Sequence, residues 1–166
     1  MKNKKIVIIP LALILLAIVS YQVFNLWNKE SVIIKVNNVA PEEGDEVSVI
    51  EIEEVRKTSI EEEFPSTMSE YAVRNAIHGM SHQKVIAKDK WTFLPMTQVR
   101  VERLIEVVEE NKSNYENPGT YLSILNRWSN NDFSQADADH NAIWSLQGGN
   151  VGRATGVYTF EEEKEF

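Results

Sequence analysis

An uncharged apolar segment near the N-terminus, residues 6–24, constrains this chain more than any other feature. As a helix of about 19 residues it would extend roughly 28 Å, close to the thickness of the hydrocarbon core of a bilayer. Tyr21 and Trp27 lie toward its outer end, where aromatic side chains favour the membrane interface. We therefore interpret residues 1–27 as a short flank followed by a single transmembrane helix.

The charges beside this segment predict its orientation. Lys2, Lys4 and Lys5 precede it, and the positive-inside rule places such a flank in the cytoplasm. A cleaved signal peptide is the competing interpretation, but the residues around Ser20 do not form a small-residue cleavage site. We favour an uncleaved anchor in the plasma membrane, with the C-terminal part of the chain outside the cell.

Charge and cysteine content exclude several classes of function. The chain has a net charge of −8 and no cysteine. An acidic chain repels nucleic acid, and a chain without cysteine has neither disulfides nor a thiol nucleophile. The expected partners are the membrane, through residues 6–24, and an envelope protein or the cell wall.

Acidic residues are concentrated in residues 28–65, which we interpret as a stalk. Two β-branched runs, residues 32–36 and 47–52, flank the acidic, turn-prone residues 41–46. They can pair as a short hairpin. Because an isolated hairpin is marginal in water, an extended stalk is the preferred prediction.

Residues 66–166 predict a small extracytoplasmic domain of four to five short helices, so the fold class is mainly α. Apolar residues recur there at helical spacing, and each run has a start or a stop signal. The signals are a Thr67/Glu70 capping box with a stop at Gly79, a cap at Thr97, Asn117-Pro118, Ser134 with Asp137 before a stop at Gly148-Gly149, and a Thr159/Glu162 capping box.

Three motifs in this region are familiar: residues 77–85, 139–149 and 151–156. Together they resemble a family of uncharacterised, membrane-anchored proteins of Gram-positive spore-forming bacteria, defined as a domain of unknown function. The resemblance extends from Tyr71 to the C-terminus. It implies a membrane topology, and it implies no reaction.

The chain's three histidines suggest a metal site. His78 and His82 are four residues apart, and His140 follows Asp137 by three, so each pair would share one face of a helix. Three imidazoles with a carboxylate would suit Zn²⁺ and could leave a coordination position open.

Other observations oppose a metal site. Gly79 is expected to end the helix between His78 and His82, and no Glu lies there to act as a base. His140 falls on an apolar stripe, where a neutral, hydrogen-bonded histidine is usual. The preferred expectation is no cofactor, with His78, His140, Trp144 and Gly148-Gly149 in one packed cluster that holds the first and fourth predicted helices together.

The glycine-rich residues 148–156 match no phosphate-binding pattern. They are interpreted as turns, with Asn150, Arg153 and Thr155 as a candidate ligand-binding loop.

Two other groups of side chains were considered as binding or catalytic sites. Trp91, Trp128 and Trp144 could form a sugar platform, although helical spacing favours core packing for the last two. A catalytic carboxylate pair drawn from Asp132, Asp137 and Asp139 is disfavoured, since residues 137 and 139 point apart on a helix.

Two classes of function therefore stay open. The first is a non-enzymatic interaction module on a membrane anchor, which is preferred because no complete nucleophile, base and orienting group is evident. The second is a metal-binding protein or metal-dependent hydrolase that uses His78, His82 and His140.

Overall fold

The computed structural model describes the backbone of residues 31–39 and 47–166, and the side chains from residue 49 onward. The predicted membrane segment, residues 6–24, lies outside these residues. Within the described part of the chain, no helix combines the length and the apolar character needed to cross a bilayer.

The described residues form six helices and four strands, which confirms a mainly helical fold. Strands β1 and β2 pair in one two-stranded sheet, and β3 and β4 pair in another. In chain order the elements are β1 (Ser31–Val39), β2 (Val47–Val55), α1 (Ile60–Glu63), α2 (Glu70–Ser81), β3 (Val85–Ile86), α3 (Gln98–Glu110), α4 (Pro118–Ser129), α5 (Ala136–Leu146), β4 (Gly156–Val157) and α6 (Phe160–Glu165).

Most helix boundaries follow the local signals in the sequence. The Thr97 side chain accepts a hydrogen bond from the amide of Arg100 at the start of α3. Thr159 and Glu162 form the reciprocal capping box of α6. Gly148, with φ of +70°, follows α5 in the left-handed conformation typical of a helix stop. These three predictions are confirmed.

Two predicted helix starts are wrong. Helix α2 is capped by Ser69, whose hydroxyl accepts from the amide of Ala72, rather than by Thr67. Helix α5 begins after Gln135, because the Ser134 hydroxyl donates to Asp132 and stabilises the preceding turn instead. A side chain that bonds within its own turn cannot also cap the helix that follows.

The predicted stop at Gly79 is also wrong, since α2 continues to Ser81. The amide of Leu94 donates to the carbonyl of Gly79 at 3.2 Å, so the connector before α3 passes directly over this residue. A Cβ atom at position 79 would lie 3.3 Å from the Cβ of Leu94. The glycine therefore serves close packing, at a cost of about 1 kcal/mol in helix propensity.

The core lies among helices α2 to α5. Helix α3 packs against α4, and α2 packs against α5. The predicted apolar stripes provide its fully buried side chains, which include Val73, Ile77, Met80, Leu104, Tyr121, Leu125, Trp128 and Ile143.

Strand β2 and helix α1 pack onto this helical core. Ile50 and Phe64 are each only 5% exposed. Arg100 of α3 forms buried ion pairs with Glu54, at 2.5 Å, and with Glu63, at 2.8 Å. The sheet of β1 and β2 is the hairpin that the sequence allowed. Its contacts with the helices cross the boundary that charge alone placed between residues 65 and 66, and residues 32–166 form one compact unit.

The small sheet of β3 and β4 positions the glycine-rich segment. The two strands are antiparallel, with Val85 opposite Val157 and Ile86 opposite Gly156. Because β3 follows α2 and β4 follows the glycines, this pairing brings residues 148–156 back beside the end of α2.

Candidate metal centre

The three histidines meet between α2 and α5. His78 lies in the last turns of α2, His82 is its C-cap residue, and His140 lies in α5. The Nε2 atoms of His78 and His140 are 3.0 Å apart, and one nitrogen from each ring lies within 4.8 Å of the other two. Since α2 continues past Gly79, His78 and His82 do share one helix face.

Hydrogen bonding leaves His82 ready to act as a ligand. Its Nδ1 contacts the backbone carbonyl of Thr92, which can only accept a hydrogen bond. The neutral ring therefore carries its proton on Nδ1, so Nε2 keeps a free lone pair. A backbone carbonyl in this position is a common way to orient a metal-binding histidine.

Asn141 fixes the proton of His140 in the same way. The Asn141 amide bonds to both backbone groups of Ala154: its Oδ1 accepts from the amide at 2.9 Å, and its Nδ2 donates to the carbonyl at 3.0 Å. These bonds determine which amide atom is oxygen. That oxygen lies 3.2 Å from Nδ1 of His140, so Nδ1 donates and Nε2 is unprotonated.

His78 completes the arrangement. With a lone pair on Nε2 of His140, the 3.0 Å contact requires a proton on Nε2 of His78 in the ion-free protein. His78 also makes a hydrogen bond with the side chain of Gln147, which in turn donates to Asn75 at 2.9 Å. A cation at the centre would replace the single proton that the two Nε2 atoms share.

All three imidazoles are kept neutral at physiological pH. Burial lowers the pKa of His78, of His82 and of His140, and for His140 the pKa falls to about 4. The hydrogen bonds to Gln147, Thr92 and Asn141 oppose this effect without cancelling it. Neutral imidazole is the form that binds a metal ion, so little proton competition is expected near pH 7.

One cation acts on the cluster from nearby. The Lys90 ammonium group lowers the pKa of both His82 and His140 by charge repulsion. Burial in turn lowers the pKa of Lys90 to about 8. Its Nζ donates to the carbonyl of His82 and to the Tyr158 hydroxyl, and it lies over the rings of Tyr158 and Phe166. Lys90 is thus held outside the centre by its own partners.

The spacing of the rings suits a tetrahedral ion. Zn–N bonds of about 2.0–2.1 Å place two ligand nitrogens roughly 3.3 Å apart. The observed separations, from 3.0 Å to at most 4.8 Å, differ from this by an amount that small side-chain rotations can supply. Three protein ligands leave a fourth position open, as in catalytic zinc sites.

A cleft of about 560 Å³ opens beside the cluster. His78 and His82 lie on its wall together with Tyr71, Trp91 and Trp144. Tyr71 is 64% exposed and Trp91 is 80% exposed, whereas His82 and His140 are almost fully buried. The centre therefore lies at the inner side of an open, partly aromatic cleft.

Two glycines shape the opposite wall. A Cβ atom on Gly149 would lie 2.3 Å from the Trp144 ring, which packs directly on this backbone. A Cβ atom on Gly152, whose φ is +82°, would lie 2.5 Å from the carbonyl oxygen of Asp89. The glycines thus allow close backbone packing, in keeping with a structural role for this segment.

The cluster predicted around His140 is present. His78 contacts His140, Trp144 packs on Gly149, and α2 packs against α5. Asp137, in contrast, is not part of the histidine group, and its carboxylate accepts from the amide of Ala138.

The candidate ligand loop is divided by the structure. Asn150 lies on the cleft wall. Thr155 faces β3, where its amide and hydroxyl both donate to the carbonyl of Ile86. Arg153 is exposed and is not among the residues that line the cleft.

The three tryptophans considered as a sugar platform also separate. Trp128 belongs to the core, and its Nε1 donates to the buried carboxylate of Asp139 at 3.0 Å. Arg127 pairs with the same carboxylate. Trp91 and Trp144 line the cleft. Asp139 therefore stabilises the helix packing, and the core interpretation holds for Trp128.

Sequence reasoning missed the residues that support the histidines: Thr92, Asn141 and Gln147. Asn141 directly follows His140, and Gln147 lies on the same face of the chain's fourth predicted helix. Thr92 contributes only a carbonyl, so its side chain gave no signal. Tyr71 was missed because it lies opposite the apolar stripe of α2.

Fold and site together define a small, mainly helical domain in which three imidazoles converge beside an open cleft. Residues 77–166, which contain all three histidines, match the sequence model of the family of unknown function DUF6241. The chain belongs to this family. No curated protein and no solved structure matches it.

Proposed function

We propose that this protein binds one divalent transition-metal ion, Zn²⁺ foremost, through Nε2 of His78, His82 and His140. The observation that carries the proposal is the convergence of three potential ligand nitrogens within 4.8 Å. The hydrogen bonds of His82 and His140 direct a lone pair inward from each ring.

The chemistry of the ligands favours zinc over harder ions. Imidazole suits Zn²⁺, Cu²⁺ and Ni²⁺, whereas Mg²⁺ and Ca²⁺ prefer oxygen ligands. No carboxylate belongs to the histidine group among the described residues. The low pKa of each histidine keeps the nitrogens free for the ion at neutral pH.

The proposed setting of this centre is outside the cell, on a single membrane anchor formed by residues 6–24. The apolar run and the lysines before it support this topology. A relationship to membrane-anchored proteins of Gram-positive spore formers belongs to the same proposal. A non-enzymatic role in contact with an envelope protein or the cell wall stays a prediction, and a bound ion is compatible with it.

Thermal unfolding of the full chain in detergent tests the proposal. Zn²⁺ at a hundredfold excess over its Kd should stabilise the folded state by about 2.7 kcal/mol. For a chain of this size the melting temperature should rise by roughly 5–10 °C. Mg²⁺ at the same concentration should leave the melting temperature unchanged, since the centre offers no oxygen ligands.

Variants assign the effect to the cluster. His78→Gln, His82→Gln and His140→Gln should each abolish the zinc-dependent rise. Asp137→Asn is the matched control, because Asp137 was a candidate ligand and lies outside the group. His78 is half-buried, so its variant should fold even if the other two are impaired. A wild-type protein whose melting temperature does not respond to Zn²⁺ would refute the proposal, as would a response that survives in His78→Gln.

A further inference from the structure

We infer that the cleft beside the histidines binds a neutral carbohydrate chain, whose pyranose rings stack on Trp91 and Tyr71. This goes beyond the proposed metal centre, and it does not require that an ion be bound.

The first observation is the exposure of aromatic side chains at one place. Trp91 is 80% exposed and Tyr71 is 64% exposed, and both line the same cleft as the half-buried Trp144. Aromatic side chains normally bury most of their surface, and clusters that stay open often mark ligand sites. Their flat faces match the apolar face of a sugar ring.

The second observation is the polar composition of the same wall. Asn75, Gln147 and Asn150 contribute side-chain amides, each of which can both donate and accept hydrogen bonds. One acid, Asp89, and one arginine, Arg74, balance each other along the rest of the cleft. Such a wall suits a ligand with many hydroxyl groups and no net charge.

Arg74 adds a donor that the folded protein leaves unused. Its Nη1 donates to the carbonyl of Leu146 at 3.0 Å, which fixes the guanidinium group at the edge of the cleft. Its Nε is buried and has no hydrogen-bond partner. A ligand hydroxyl or acetamide oxygen can satisfy such a donor.

Other ligand classes fit less well. The net charge of −8 disfavours a polyanion. A lipid or an apolar helix would leave the amides and Asp89 without partners, which is costly in a buried contact. A neutral oligosaccharide uses both the aromatic faces and the amides.

Tryptophan fluorescence and calorimetry with two probes, chitohexaose and cellohexaose, test the inference. The full chain should be kept in a detergent without a sugar headgroup, because such headgroups would compete for the cleft. We expect saturable binding of at least one probe, with a change in Trp emission. Trp91→Ala and Tyr71→Ala should each weaken binding on the order of tenfold, since one good contact is worth about 1.4 kcal/mol.

Phe93→Ala is the matched control. Phe93 is 52% exposed, and it packs on Phe166 rather than lining the cleft. Its loss should leave sugar binding unchanged. Trp91 is so exposed that its replacement should not affect folding, so an unaltered melting temperature should accompany the weaker binding.

The two proposals fail separately. Trp91→Ala should keep the zinc-dependent rise in melting temperature, and His78→Gln should lose that rise while sugar binding in EDTA persists. Absence of binding to both probes would overturn the carbohydrate inference, as would equal affinity in Trp91→Ala and wild type. Loss of the zinc response alone would refute only the metal centre.

Discussion

Replacing Arg100 with Met should be among the most damaging single changes in the described part of the chain. Arg100 is 3% exposed and pairs with Glu54, whose side chain is 2% exposed, and with Glu63. Its Nη1 also donates to the carbonyl of Pro95 at 3.0 Å. Without the guanidinium group, the Glu54 carboxylate would remain buried with no counter-charge.

The magnitude follows from this burial. Breaking one side of a buried ion pair typically costs about 3–5 kcal/mol, because the desolvated partner is left uncompensated. The double variant Arg100→Met with Glu54→Leu removes both charges, and it should recover much of the loss. Lys112→Met is the matched control: Lys112 and Glu109 are more than half exposed, so the cost should be at most about 1 kcal/mol.

Urea unfolding followed by far-UV circular dichroism gives these free energies. If Arg100→Met unfolds within about 0.5 kcal/mol of wild type, β2 does not pack on the helices as described, and the boundary between residues 65 and 66 that charge suggested would be the better description. Failure of the double variant to recover stability would show that the hydrogen bond to Pro95, rather than the buried charge, dominates.

Three further predictions concern the cluster, the cleft and the anchor. In EDTA, stability should fall as the pH drops from 6.5 to about 4, by about 3 kcal/mol from His140 alone, because in this window the unfolded chain binds a proton that the folded His140, with its pKa lowered by burial, does not; unfolding curves of wild type and His140→Gln across this range should converge, and parallel curves would contradict the assignment. Gly149→Ala should cost about 1–3 kcal/mol, as its Cβ would meet a Trp144 ring that the Val151 carbonyl holds in place, whereas Gly119→Ala, with open space around it, should be neutral or stabilising in the same urea assay. Protease added to intact protoplasts should remove the chain beyond about residue 30, and a soluble form that begins near Tyr21 would contradict the anchor.

Local sequence signals were sufficient for most of the helices. Thr97, Pro118 and Gly148 act within one turn of their own position, so their effect can be read without knowing the fold. The apolar stripes likewise follow from helix periodicity, and the structure buries them. The mainly helical class was predictable for this reason.

The site was predictable only in its components. The sequence identified all three histidines and placed His78 next to His140, but it gave no account of how their protons are arranged. That arrangement depends on the Thr92 carbonyl and on the bonds between Asn141 and Ala154, which arise from the path of the connectors. Gly79 misled the prediction because a glycine in a helix can mean a stop or a close packing contact, and only Leu94 distinguishes the two.

By itself, then, the sequence determined where the chain turns helical, which faces are apolar and that three imidazoles are available. The tertiary structure decided that those imidazoles converge, that β2 and α1 join the core, and that Tyr71 rather than Trp128 lines the cleft. The physical reason is range: helix caps and periodicity act over a few residues, whereas His78 and His140 are 62 residues apart and meet only because α2 packs on α5.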